Sequence, residues 1–337
     1  MLKLYKIMFF NTMIVGTLIA ISAYSWLGMW IGLEVNLLSI IPLMASQKNM
    51  YSSEASLKYF ITQAMASLIL LLSIILMLVS TEFITPMVNS ALSTLLNSAL
   101  LTKLGAAPFH YWFPEVLEGL NWFNCSMLLT WQKIAPMSLL MNNFLQINFM
   151  VFTIISSLVV STLMSFNQVS LRKILAFSSI NHIAWMLSAM ITSTSVWLIY
   201  FIAYTVITLN LVLVFNYGKI LTLTQIPLVF NQNKLVKFTL VANFLSLGGL
   251  PPFLGFMPKW FTINWLILHG LPVLALILIV LTLIMLFVYV RIIMSSLTFQ
   301  YTEIKALTPN PGSFLLFSSN FISLASLVGC TMMFNLI

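Results

Sequence analysis

Long apolar runs alternate with short polar joints along the whole chain. An α-helix of about 20 apolar residues crosses the roughly 30 Å hydrocarbon core of a bilayer. Eleven runs meet that requirement: residues 4–23, 26–45, 55–80, 90–118, 122–144, 148–167, 171–190, 195–217, 237–267, 272–295 and 313–335. The pattern predicts an all-α polytopic membrane protein with about 11 transmembrane helices. Its joints are too short to hold a soluble catalytic domain. The first run follows Lys3 and Lys6 and ends in Ala20-Ile21-Ser22-Ala23, a crude signal-peptide pattern. The length of that run, and the topology below, favour a retained helix.

Runs 90–118 and 237–267 are near 30 residues, about 43 Å as continuous helix. Each is interrupted midway, the first by Gly105-Ala106-Ala107-Pro108-Phe109-His110 and the second by Gly248-Gly249-Leu250-Pro251-Pro252-Phe253. Proline removes a backbone donor and glycine permits a bend. Backbone groups freed in this way survive at membrane depth only inside protein or beside water. The broken run is the fourth of five in each half, and the two halves run in opposite senses. This is the pattern of inverted repeats with two discontinuous helices. It predicts a first repeat at 1–146, a second at 147–296, and a loop with a final helix at 297–337. The plainer alternative is that proline and glycine kinks are common in membrane helices.

Composition agrees with this reading. Of 337 residues, 61% are hydrophobic and only 6% charged, where a soluble chain carries roughly a quarter. The formal net charge of +8 then reflects topology rather than nucleic-acid binding. With eleven spans, the side holding Met1 gathers Lys3, Lys6, Lys48, Lys58, Arg172, Lys173, Lys219, Lys234, Lys237, Arg291 and Lys305, and the other side has no Lys or Arg. The positive-inside rule places the first side toward the cytoplasm or matrix. Cys125 and Cys330 lie far apart inside apolar runs and form neither a disulfide framework nor a metal-ligand spacing. There is no Asp, and the 21 Met with abundant Ile, Leu and Phe point to an AT-rich organellar gene.

Five ionisable residues fall within spans: Glu34, Lys103, Lys133, His182 and Lys259. At about 1.5 Å per residue, each lies about 12–20 Å in from one membrane surface, in the middle third of the bilayer. A charge at that depth costs at least about 2.5–3.5 kcal/mol on insertion scales. Loss of water disfavours the charged form of an amine, and a neighbouring carboxylate opposes that effect. A changing charge pair therefore becomes a proton-relay element. Plainer readings exist for each residue. A lysine can snorkel to the interface, although at this depth its stem is short for that. A lone His182, or His110 beside the break, is more often a satisfied core residue. Glu54 and Lys58 have the i, i+4 spacing of a helical pair. Glu115 and Glu118 read as surface charges, while Glu82 and His269 fall in joints.

No Gly-rich nucleotide loop, CxxC or HExxH is present. The three His do not form the facing pairs that a bis-histidine haem needs. Flavin, haem and iron-sulfur chemistry are not expected in this chain.

Several stretches together resemble a known family: Trp30-Ile31-Gly32-Leu33-Glu34-Val35-Asn36-Leu37-Leu38-Ser39, Glu54-Ala55-Ser56-Leu57-Lys58-Tyr59-Phe60, Lys103 through Trp112, Trp131-Gln132-Lys133-Ile134-Ala135-Pro136, Leu171-Arg172-Lys173, Ser178-Ser179-Ile180-Asn181-His182, and Leu247 through Phe253 with Lys259. They are similar to the mitochondrial NADH-ubiquinone oxidoreductase chain 2 family, the antiporter-like membrane-arm subunits of respiratory complex I, in an arthropod-like style. The likeness covers about residues 26 to 262 in the expected order. It implies a proton-translocating core subunit of the inner mitochondrial membrane, with its N-terminus in the matrix and its C-terminus on the intermembrane side. It also implies that Glu34, Lys103, Lys133 and Lys259 match the family's glutamate and lysines along a hydrated axis. NADH, FMN, iron-sulfur clusters and ubiquinone would belong to other subunits, and this chain would bind none. The implied partners are the antiporter-like chain 4, the small chain 4L, accessory subunits and lipids such as cardiolipin, with no nucleic acid. The expected relay runs from a Glu34–Lys103 switching pair through Lys133, His182 and water to Lys259. A stand-alone cation/proton antiporter and a structural membrane-arm spacer are the alternatives. One buried Glu and no Asp make a poor site for a hard cation, which wants several oxygen ligands.

Overall fold

In a bilayer every backbone N–H and C=O must find a partner within the protein, so apolar runs of this length fold as helices. The computed structural model describes residues 4–46, 49–80, 86–143, 146–230, 234–251, 253–298 and 321. Over these it shows α1 (Leu4–Ser22), α2 (Trp26–Met44), α3 (Met50–Ser80), α4 (Pro86–Leu104), α5 (Trp112–Gly119), α6 (Trp122–Leu129) and α7 (Trp131–Asn142). There follow α8 (Ile147–Ser165), α9 (Leu171–Thr192), α10 (Thr194–Gly218), α11 (Gln225–Phe230), α12 (Lys234–Gly248), α13 (Phe256–Leu268) and α14 (Pro272–Thr298). Among the described residues there is no strand, only an isolated bridge between Ser170 and Thr222. Ser25 and Ser193 accept hydrogen bonds from Gly28 and Val196 and so start α2 and α10.

Among the described residues, seven helices are long and apolar enough to cross a membrane: α1, α2, α3, α8, α9, α10 and α14. The fourth, fifth and ninth predicted spans fold instead as the pairs α4–α5, α6–α7 and α12–α13. The eleventh predicted span lies outside the described residues, as do Lys48, Glu82, Pro252 and Cys330.

The chain divides into two compact units, Met1–Thr153 and Ile154–Ile337. In the first, α1 and α2 pair through small residues. A methyl added at Gly16 would stand 2.8 Å from the Asn36 nitrogen, and one at Gly32 would overlap Ala20. Such close backbone approach is how membrane helices gain contact without a hydrophobic driving force. Helix α3 packs on α2, α4 and α5, and α4 also meets α7. In the second unit α9 is central, with α10, α13 and α14 around it, and α12 lies against α10 and α14. The spanning window of α9 is 94% buried, against 22% for α1. Helix α9 therefore belongs to an interior, and α1 leaves most of its side chains outward.

Candidate functional site

Both broken runs end their first half in the same way. At Gly105 the amide donates to the Leu101 and Thr102 carbonyls at 3.0 and 3.2 Å, and the Ala106 amide reaches Leu101 at 3.2 Å. At Gly249 the amide donates to Leu245 and Ser246 at 3.1 and 3.0 Å, and Leu250 reaches Leu245 at 3.3 Å. These are Schellman terminations, which need a left-handed residue after the helix. Gly105 and Gly249 supply it, with φ of 74° and 78°. Pro108 follows through a cis Ala107–Pro108 bond, and Pro251 sits in the turn after Gly249. Gly248 is the last residue of α12.

A Schellman motif satisfies two carbonyls and leaves the last two of the helix open. At the second break, Lys259 on the first turn of α13 fills that gap. Its amine donates to the Leu247 and Gly248 carbonyls, both at 3.0 Å. The same amine stands 5.8 Å from the Trp185 ring centre, within cation–π range. The first break uses neutral groups. The Trp112 indole donates at 3.0 Å to the Thr102 carbonyl, which the Gly105 amide already serves, and of the two open carbonyls that of Lys103 has a long 3.5 Å contact from the Gln63 amide.

In the first unit, Lys103 lies on the last turn of α4 and lines a small cavity of about 20 Å³ with Asn36, Tyr59, Gln63, Gln132 and Pro136. Its centre has room for about one water molecule. Asn36 and Gln132 close one side as a reciprocal amide pair: Asn36 Nδ2 donates to Gln132 Oε1 at 3.0 Å, and Gln132 Nε2 donates to Asn36 Oδ1 at 2.8 Å. Glu34, two residues before Asn36, is half-buried, and its charge acts on Lys103 through space. Lys133 is fully buried on α7, with its amine 5.8 Å from the Phe113 ring centre. In the second unit, His182 lies on α9 with its Nδ1 2.9 Å from the Tyr200 hydroxyl and its ring 5.2 Å from that of Tyr204.

Lys103, Lys133, His182 and Lys259 are thus buried, with 2–8% of their surface exposed, while Glu34 keeps a partly open flank. Glu34, Lys103 and Lys133 fall in the first unit, and His182 and Lys259 in the second. Glu115 is a surface charge, as expected, and it is also paired. Its Oε2 lies 2.9 Å from the Lys58 amine, which also meets Glu54 at 3.0 Å, so this cluster ties α5 to α3. His110 is buried beside the first break with its ring against Tyr111.

Sequence reasoning missed three features. Asn36, Gln132 and Tyr200 partner the ionisable set, and the only signal was their nearness to Glu34 and Lys133 along the chain or to His182 at one helical turnaround. The fifth run breaks at Thr130, whose hydroxyl bonds back to the Ser126 carbonyl at 2.7 Å. Gly255 is obligatory, because a methyl there would overlap the Ser246 carbonyl. Among the described residues no cluster of His, Cys, Asp or Glu has the geometry of a metal site.

Comparison with known proteins bears on the family and the fold. Residues 23–285 match the family described as NADH:quinone oxidoreductase/Mrp antiporter, TM. NADH-ubiquinone oxidoreductase chain 2 of Anopheles gambiae is 45% identical over 99% of both chains, and that of Aedes aegypti 47% over 99% of both. The elephant Loxodonta africana protein of the same name is 39% identical over 86% of this chain and 84% of its own. A chain of respiratory complex I from Thermus thermophilus superposes with a TM-score of 0.88 at 22% identity, covering 97% of this chain and 78% of that one. A chain of the Mrp complex from a Dietzia species gives 0.79 at 15% identity, covering 96% and 74%. The two structural likenesses speak to the fold alone. The near-full-length sequence identity carries the assignment: this chain belongs to the NADH-ubiquinone oxidoreductase chain 2 family.

Proposed function

We propose that this chain is a core membrane-arm subunit of respiratory complex I, moving protons across the inner mitochondrial membrane while other subunits pass electrons from NADH to ubiquinone. The carrying observation is the set of buried amines and imidazole, Lys103, Lys133, His182 and Lys259, held inside an all-helical fold beside two matched helix breaks. A buried charge without a role is a liability of several kcal/mol.

In this reading Glu34 and Lys103 form the switching pair. The cavity beside Lys103 admits water, which amines and hydroxyls can use to exchange protons. Asn36 and Gln132 cannot carry a net proton, so they orient and bound that water. Lys133 and His182 continue the relay, and Tyr200 holds the His182 ring in one orientation. Lys259 is the terminal donor or acceptor. Moving one charge against 100 mV takes about 2.3 kcal/mol. A charge-assisted hydrogen bond contributes about 1.5–3 kcal/mol, so exchanging such bonds is of the right size to drive one transfer.

The halves 1–146 and 147–296 form inverted repeats in this reading, followed by the 297–337 tail. The N-terminus faces the matrix. The antiporter-like chain 4, the small chain 4L, accessory subunits and cardiolipin are the neighbours, and the redox groups reside in other subunits. The test is Lys103→Met and Lys133→Met in the assembled complex, with protons moved per electron measured in sealed vesicles. We expect the ratio to fall in both. Unchanged proton output and turnover in both would reject the relay.

A further inference from the structure

Gly249 faces the amine that closes the second break. A methyl built on it would stand 2.7 Å from Lys259 Cδ, 2.9 Å from Nζ and 3.1 Å from Cε. At Gly105, the equivalent residue of the first break, the three atoms nearest the same methyl would be Phe113 carbons at 3.1–3.3 Å. The two glycines share their backbone conformation and differ in what lies over it. At Gly105 the need for glycine is met by the turn itself. At Gly249 a second need is added, because the Lys259 stem lies across the residue to reach the carbonyls behind it.

We propose that Gly249 is a positioning residue for Lys259. Its bare Cα is the floor of a seat that lays the amine on the Leu247 and Gly248 carbonyls. The C-terminal end of α12 carries partial negative charge from its open carbonyls, and a protonated amine completes that end better than a neutral one. Proton occupancy at Lys259 and closure of the α12 end are then one event. A proton arriving draws the amine onto both carbonyls. A proton leaving frees the carbonyls for water and lets the break relax. This rests on the relay role of Lys259 given above, and it adds the residue that makes the amine sensitive to the break.

The experiment is a cycle of Gly249→Ala, Lys259→Ala and the double variant in the assembled complex. Gly105→Ala serves as the comparator for left-handed strain, which costs about 1–2 kcal/mol in either place. Two quantities are read: protons moved per electron, and the distance from the Lys259 amine to the Leu247 carbonyl in a density map. We expect Gly249→Ala to lift the amine off both carbonyls and to lower the proton ratio to that of Lys259→Ala. The double variant should be no worse than either single one. If Gly249→Ala does not assemble, the double variant should recover assembly, because the stem that the methyl strikes is gone. Additive losses in the cycle would overturn the proposal, and so would an unmoved amine, or failure of both Gly249→Ala and the double variant to assemble. A normal proton ratio in Lys259→Ala would instead reject the relay role, while the density map still decides whether Gly249 seats the amine.

Discussion

At Gly105 and at Gly249 the backbone leaves its helix through the same three hydrogen bonds, yet different chemistry meets the carbonyls left behind. Behind Gly105 a primary amide, Gln63, reaches the open Lys103 carbonyl and the Trp112 indole adds a second donor to Thr102, and neither group gains or loses a proton in the physiological range. Behind Gly249 stands an amine. The lysine of the first break, Lys103, turns the other way, into a polar cavity. One fold device thus appears twice with its ionisable group in two positions. In the first unit the lysine before the break lines a polar cavity, and in the second the amine is part of the break. A break closed by neutral donors is a fixed structural feature. A break closed by a titratable donor can report on its charge.

Exchanging the caps breaks this comparison most directly. Lys259→Met removes two charge-assisted hydrogen bonds of about 1.5–3 kcal/mol each. Coupled turnover in vesicles should fall by about tenfold or more, since about 1.4 kcal/mol is a factor of ten. Next in size is Asn36→Ala, which strands the Gln132 amide beside the Lys103 cavity at a cost of about 1–3 kcal/mol. Lower thermal stability of the complex is the expected reading, and Asn36→Leu with Gln132→Leu should regain part of it because both polar partners then go. Trp112→Phe removes one neutral bond, about 0.5–1.5 kcal/mol. Stability should fall slightly while protons per electron stay constant, and a fall in that ratio equal to the Lys259→Met effect would erase the distinction between the breaks. Smallest is Glu115→Gln. The Lys58 cluster is exposed, so water and salt screen it, and turnover should match the unaltered complex.

Much of the scaffold was readable because membranes impose one rule per residue: apolar runs become helices, and Gly or Pro inside them marks an interruption. Gly105 and Gly249 could be located that way. The break at Thr130 could not, because threonine alone is no helix stop and its back-bond to Ser126 emerges only once the run is packed. The link made by Glu115 was hidden for a related reason. Its partner Lys58 is 57 positions away, and no local pattern joins α5 to α3. The buried ionisable residues announced themselves by their rarity. Their neutral partners did not, since Asn36, Gln132 and Tyr200 are ordinary residues until a neighbour 96 or 18 positions away gives them a task. The seat of Lys259 was hidden most deeply, because it exists only when the chain has already folded back over Gly249.

Helix α1 carries no ionisable group along its middle, and most of its surface looks outward. It still governs the chemistry next door. A methyl on Gly16 would meet the main chain at Gly32 and Asn36, two residues before and two after Glu34. Any bulkier residue at Gly16 would press on the main chain of α2 where it carries Glu34 and the Asn36 amide that pairs with Gln132. A greasy rod with no ionisable middle is therefore the spacer against which that stretch of α2 is set.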